Sequence, residues 1–161
     1  MILGAASLAV LMMAACSGKS STYANMPGND KDEVYTGVLP AADADGVRYT
    51  LKLDYSDDNN YTTGDYDLVE VYLAGDSTSA TGYKDAARFK SKGDFTVIDG
   101  KGDNSAKKYL KLVQDAKESS KDSNAGPMYF LVESDSTLVM VNADLEQSVV
   151  PGMNYTLKLV R

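Results

Sequence analysis

The sequence contains no histidine and a single cysteine, Cys16. Without histidine, the side chain that most often moves protons at neutral pH is missing, and one cysteine cannot form a disulfide within the chain. No serine therefore has a histidine partner for a catalytic triad, and no glycine-rich phosphate loop follows a predicted strand. These absences predict a protein that is not an enzyme, with no catalytic residues and no cofactor.

Basic residues are in the minority, because 16 Lys and Arg stand against 23 Asp and Glu and give a net charge of −7. Nucleic-acid binding needs a basic stripe, and a polybasic hold on anionic lipids needs a similar cluster. The composition therefore predicts no nucleic-acid partner. With 161 residues and 43% hydrophobic content, the chain is long enough for one domain with a substantial core.

The first residues carry the most specific signal in the chain. Residues 2–15 are uncharged and mostly apolar, too short for the ~20 residues of a spanning helix but suited to a secretory signal. They end in Met13-Ala14-Ala15 before Cys16, which resembles a bacterial lipobox. The sequence departs from that pattern in lacking a basic start and in carrying Met13 where leucine is more usual. An ordinary secretion signal with an incidental cysteine is the alternative.

The lipobox resemblance implies cleavage before Cys16 and acyl chains on that cysteine, which would anchor the protein to a membrane. Residues 1–15 are then the signal peptide, and residues 16–33 are the lipidated cysteine with a flexible Ser/Gly/Asn-rich tether. By the same resemblance, Ser17 in place of aspartate permits export to the outer membrane. We therefore expect a lipid-anchored protein in the envelope of a Gram-negative-type bacterium, at the outer membrane.

The stretch from Val34 to Tyr55 predicts two strands joined by a tight corner. Its second half alternates apolar and polar residues with a period of two, which indicates a strand with one buried face. Pro40 cannot donate to a sheet ladder, and Asp45-Gly46 suits a sharp turn. The inward series is Val47, Tyr49, Leu51, Leu53 and Tyr55.

Residues 34–161 read as about eight short strands separated by turn clusters. Among them, Ala86 to Ser91 and Asp94 to Ile98 suggest two strands around Lys92-Gly93, or one bulged pair. The last strand is expected within Met153 to Val160, where apolar residues again alternate with polar ones. Such a series predicts an all-β fold, a small antiparallel barrel or a sandwich. The last strand should pair with an early one, because closure removes exposed edges.

The corner contains a spaced set of residues that consists of Tyr35, Gly37, Leu39, Pro40, Asp43 and Gly46. This set resembles the N-terminal domain of the NlpE-type envelope lipoproteins, a family known for copper resistance and surface sensing. The resemblance implies a lipocalin-like β-barrel. In that family two cysteines usually stand where this chain has Ala41 and Ala44, so a copper or redox role cannot be carried over.

Other candidate metal ligands are weak, and no metal site is predicted. Asp43-x-Asp45-Gly46 lacks the other ligands of a calcium loop. The loop pair Asp57-Asp58 has no histidine or predicted burial to separate its pKa values, so catalysis there is not expected. Four methionines could offer thioethers, but three of them are expected inside apolar strands, as core residues. The four are Met26, Met128, Met140 and Met153.

Two functions follow from these observations. The first is a non-enzymatic, NlpE-like envelope lipoprotein that contributes to envelope homeostasis, stress or surface sensing through contacts with envelope proteins. The alternative is a lipocalin-like module that binds a small apolar ligand inside the barrel. An interior packed solid by Tyr49, Leu51, Leu53, Leu157 and Leu159 would argue against the alternative.

Overall fold

Eight antiparallel strands follow one another along the chain and close into a barrel in the order β1 to β8. The computed structural model describes residues 32–56, 60–115 and 126–160. The strands are β1 (Asp32–Leu39), β2 (Gly46–Tyr55), β3 (Thr63–Gly75), β4 (Tyr83–Asp99), β5 (Lys108–Gln114), β6 (Met128–Ser134), β7 (Thr137–Val141) and β8 (Thr156–Leu159). The predicted all-β fold, a small antiparallel barrel of about eight strands, is confirmed.

The first two strands form the predicted hairpin, in register from Asp32 opposite Asp54 to Leu39 opposite Val47. Because successive side chains of a strand point to opposite faces, the period-two pattern of β2 directs one set of residues inward. Of the predicted inward set, Val47, Leu51, Leu53 and Tyr55 are buried, and Tyr49 is half-buried.

Closure depends on β8, which has only four residues and lies between β7 and β1. Tyr35 pairs with Leu159, and Leu138 pairs with Leu157. The expectation that the last strand pairs with an early one is therefore confirmed. Because β8 pairs on both sides, β1 and β7 have no exposed edge where the barrel closes.

The longest strand, β4, differs from the sequence-based expectation. The sequence suggested two strands around Lys92-Gly93 or a bulged pair, whereas β4 is one strand of 17 residues. It pairs with β3 along its length, with an irregularity at Tyr72/Leu73, but with β5 only from Gly93 to Asp99. The first half of β4, before Gly93, is therefore not paired with β5.

Two apolar clusters hold the barrel together. The larger one fills the interior; its most buried large side chains include Tyr35, Phe95, Phe130, Leu51, Leu68, Leu110, Leu138 and Leu157. The smaller one contains Tyr109, Leu131, Val139 and Val141, against which Leu145 and Tyr155 pack from the segment between β7 and β8. That segment therefore covers an apolar patch separate from the interior.

The prediction that Met153 is a core residue inside a strand is wrong. Met128 and Met140 are half-buried against the interior cluster, as expected of core residues, but Met153 is 53% exposed. Met153 lies in a turn before β8, in which its N–H donates to Val150 C=O at 3.0 Å. The Asn154 side chain then accepts a hydrogen bond from the N–H of Thr156, the first residue of β8. The strand begins only after this turn, so Met153 lies outside the alternating pattern.

Candidate functional site: the corner and the barrel interior

The corner between β1 and β2 is fixed to the end of β3. Asp45 N–H donates to Leu73 C=O at 3.1 Å, and the Asp45 carboxylate accepts from Gly75 N–H at 2.6 Å. Gly46 follows with a φ of 153°, a value that side-chain-bearing residues rarely adopt. The aspartate and glycine of this corner thus act as turn residues.

The other motif residues divide between the interior and the surface. Tyr35 and Leu39 point inward and are fully buried, whereas Asp43 is exposed. At Gly37 a side chain would overlap the Thr156 carbonyl oxygen of β8. Glycine at this position therefore lets β1 and β8 approach each other closely.

A shallow groove of about 550 Å³ lies beside the corner. Its lining consists of Asp43, Ala44, Asp45, Tyr72, Leu73, Ala74, Ala86 and Ala87. Ala41 and Ala44 offer no thiol for a soft metal ion, and the Asp45 carboxylate is already bonded to the backbone. Within the described ranges, no group of three or more His, Cys, Asp or Glu side chains could hold a metal ion.

The barrel interior contains a buried polar group that consists of Glu33, Tyr35 and Tyr55. Glu33 is 2% exposed and accepts a hydrogen bond of 3.0 Å from the Tyr35 hydroxyl. The Tyr55 hydroxyl is also buried close to the Glu33 carboxylate, but among the described residues it makes no hydrogen bond of normal geometry. A carboxylate this deeply buried is uncommon, and buried polar groups normally have partners.

Burial and the nearby Glu33 carboxylate both raise the pKa of the Tyr35 and Tyr55 phenols. Desolvation, together with the charge of Glu33, raises the pKa of Tyr35 and of Tyr55 well above the usual range. Both phenols therefore stay neutral at physiological pH and can act as hydrogen-bond donors. Tyr49 behaves similarly, because burial and then the adjacent Glu70 raise its pKa.

Glu33 was missed by the sequence analysis, which assigned it to the tether. It lies in β1, which begins at Asp32, and pairs with Leu53. Glu33 and Tyr35 lie six and four residues before Leu39, and because these steps are even, all three side chains share the inward face. The period-two pattern could have indicated its position, but a single charged residue at a strand end normally points to solvent.

Several predictions fall outside the residues that the structure describes. They concern the signal peptide, lipidation at Cys16, the tether up to residue 31, Met26 and the pair Asp57-Asp58. Among the described residues, no helix is long and apolar enough to cross a membrane.

The fold and its interior define the class, a small closed antiparallel barrel with a cluster of buried aromatic and aliphatic side chains inside. The family model of the NlpE N-terminal domain matches residues 35–149, and the chain belongs to this family. Its members are non-enzymatic lipoproteins of the bacterial cell envelope, and an envelope role therefore applies at the family level. Neither the curated proteins nor the solved structures include a significant match.

Proposed function

We propose that this protein is a lipid-anchored, non-enzymatic envelope protein that contributes to envelope homeostasis, stress or surface sensing through contacts with other envelope proteins. The observation that carries the proposal is the family match, which covers most of the barrel from Tyr35 onward. The lipobox-like sequence before Cys16 supports the anchor, because the cysteine stands directly after small residues.

In this proposal the protein acts through its position. Each buried CH₂ of an acyl chain contributes ~0.8 kcal/mol, so several chains on Cys16 would make membrane residence effectively permanent. A flexible tether of ~16 residues has a reach of roughly 20–24 Å, enough to hold the barrel clear of the lipid headgroups. Ser17 supports an outer-membrane destination, and failed export would leave the protein at the inner membrane beside a signalling partner.

The packing of the interior favours protein contacts over a ligand-carrying role. Leu51, Leu53 and Leu157 lie fully buried in one cluster, and Tyr49 and Leu159 pack against it. A lipocalin-like carrier would instead need an apolar cavity of several hundred Å³ that opens at one end. A copper or redox role is not part of the proposal, because Ala41 and Ala44 supply no thiol.

The test is the Cys16→Ala variant, compared with Ser21→Ala as a matched change in the predicted tether. We expect Cys16→Ala in the soluble periplasmic fraction and Ser21→Ala in the membrane fraction, because only the cysteine can carry the acyl chains. The intact mass of the extracted wild-type protein should correspond to cleavage before Cys16 plus acylation. Membrane association of Cys16→Ala, or an unmodified thiol in the wild type, would refute the anchor.

A further inference from the structure

We propose that residues 83–92 of β4, called here the open edge, bind an extended acidic segment of a partner protein as an additional strand. The inference rests on the proposed function because it specifies one of the protein contacts, but it does not depend on the lipid anchor. Its basis is the strand pairing, the backbone direction and the side-chain chemistry of these ten residues.

The open edge has a paired strand on one side only, although its last residue, Lys92, already bonds to Asp115 on the other side. β3 pairs with β4 from Gly75 opposite Tyr83 to Thr63 opposite Thr96, whereas β5 begins to pair at Gly93. Within the described part of the chain, no strand lies on the other side of residues 83–92. Every residue from 83 to 90 is exposed.

Some backbone N–H and C=O groups of the open edge point to the side that has no paired strand. Lys92 C=O accepts from Asp115 N–H at 3.0 Å and therefore points toward the β5 side. Because backbone groups of successive residues point to alternate sides, those of Lys90 and Arg88 point the same way. They form a row of donors and acceptors that an added strand can pair with, which is the basis of β-augmentation.

The open edge is basic in an otherwise acidic protein. It contains Lys84, Arg88, Lys90 and Lys92, with Asp85 as its one acid. Asp85 is itself paired with Arg48 at 2.8 Å. The cations of Arg88, Lys90 and Lys92 share one face, because they are two residues apart in a strand.

The opposite face of the open edge is apolar. Phe89 is 51% exposed and packs edge-to-face on Tyr72, with ring centroids 5.4 Å apart. Ala87 lies two residues before Phe89, on the same face of the strand, and is one of the residues that line the groove beside the corner. An added strand would therefore match best if carboxylates and apolar side chains alternate along it.

Charge favours an acidic partner over a second copy of this chain. Two open edges paired with each other would bring Arg88, Lys90 and Lys92 opposite cations of the same kind, which destabilises a strand pair. Lysines on an edge strand are a common protection against such self-association. The same cations attract a strand that carries glutamate or aspartate.

The first test measures binding of a labelled ten-residue peptide of alternating glutamate and valine to the purified full chain. Two control peptides are the isomer with all glutamates before all valines and the peptide with lysine in place of glutamate. We expect the alternating acidic peptide to bind at least roughly tenfold more tightly than either control, a difference of ~1.4 kcal/mol. Equal binding of the two glutamate isomers would indicate simple charge attraction and overturn the proposal.

The second test changes the charge of the protein. Arg88→Glu/Lys90→Glu reverses two cations of the open edge, and Lys101→Glu/Lys107→Glu reverses two exposed cations of the β4–β5 loop. The first variant should lose at least roughly tenfold in affinity, and the second should bind within about twofold of the wild type. Equal losses in both variants would contradict a site at the open edge.

The third test concerns the backbone. Lys90→Pro removes an N–H that points to the open side, whereas Lys90→Gln removes the same charge and keeps the N–H. Lys90→Pro should bind the peptide more weakly than Lys90→Gln. A peptide with N-methyl groups at alternate residues tests the same bonds without changing the protein, and it should also bind weakly.

Further results would show whether an acidic strand binds the open edge and whether this binding depends on the lipid anchor. Undiminished binding of the N-methyl peptide, or a stable dimer of the chain that excludes the peptide, would overturn the proposal. The soluble Cys16→Ala variant should bind the peptide as tightly as the wild type. Failure of the anchor and failure of the open edge are therefore distinguished.

Discussion

Single residues determine where the barrel interior departs from an apolar core. The Tyr35 hydroxyl donates a buried hydrogen bond to Glu33, whereas the neighbouring Tyr55 hydroxyl lies near the same carboxylate but makes no hydrogen bond of normal geometry in the described residues. A buried hydrogen bond to a charged group stabilises a fold, but a buried hydroxyl without a partner carries a desolvation cost. The two tyrosines should therefore respond oppositely to loss of the hydroxyl.

We expect Tyr35→Phe to lower the free energy of unfolding by about 1–2 kcal/mol, because the buried hydrogen bond from Tyr35 to Glu33 is lost. Tyr55→Phe is the matched variant, and it should leave the free energy unchanged or raise it slightly. Urea unfolding of both variants at neutral pH measures the difference. A larger loss from Tyr55→Phe than from Tyr35→Phe would contradict this assignment of the hydrogen bond.

Among the strands, β8 and β4 differ most in how their edges are used. β8 is short, but it is paired on both sides and closes the barrel. β4 is the longest strand, yet about half of it has a paired neighbour on one side only. Strand length therefore does not indicate which element closes the fold, because closure depends on which edges meet.

The close approach of β1 and β8 gives a prediction for Gly37→Ala. The added methyl group would overlap the Thr156 carbonyl oxygen, so the two strands must separate. We expect a loss of about 1–3 kcal/mol in the free energy of unfolding, as for other overpacked sites. Gly126→Ala, where no atom of the described residues lies within 4 Å of the new methyl group, is the control and should be near neutral. A similar effect of both substitutions in urea unfolding would argue against close packing at Gly37.

At the scale of the whole molecule, closure of the barrel removes many phenols from water. Burial raises the pKa of Tyr35, Tyr49, Tyr55, Tyr66 and Tyr109. Because the folded state keeps these protons at pH values where the unfolded chain releases them, the fold is favoured below the unfolded pKa of about 10. Its stability must therefore fall as the pH rises above that value.

We expect the free energy of unfolding to decline from about pH 10 upward, with tyrosinate absorbance appearing together with unfolding. Urea unfolding at about pH 8 and about pH 11 measures the decline. Tyr55→Phe should reduce it, because one proton fewer is released on unfolding, whereas Tyr83→Phe removes an exposed phenol and should not. Full tyrosinate absorbance from a protein that is still folded would refute the prediction.

The sequence predicted the strands well because side-chain alternation is a local property. The pattern from Val47 to Tyr55 determined which face of β2 is buried, and the spacing of turn clusters indicated about eight strands. The pairing of the last strand with an early one followed from the need to cover edges. These inferences required no knowledge of which strands lie side by side elsewhere in the barrel.

The site features depended on contacts between distant parts of the chain. The basic and aromatic residues from Arg88 to Lys92 are visible in the sequence, but only the end of the β5 pairing at Gly93 leaves their edge open. Glu33 is buried because the barrel closes around β1, and Met153 is exposed because the turn before β8 excludes it from the strand.

The sequence by itself determined the strand pattern and the acidic charge, since strand alternation is encoded within a few neighbouring residues and net charge depends on composition alone. It also contains the lipobox-like pattern before Cys16, from which lipidation stays a prediction. Only the tertiary structure decided which polar groups are buried and which strand edge has no neighbour. The physical reason is that burial and edge pairing arise when strands far apart in the chain come together.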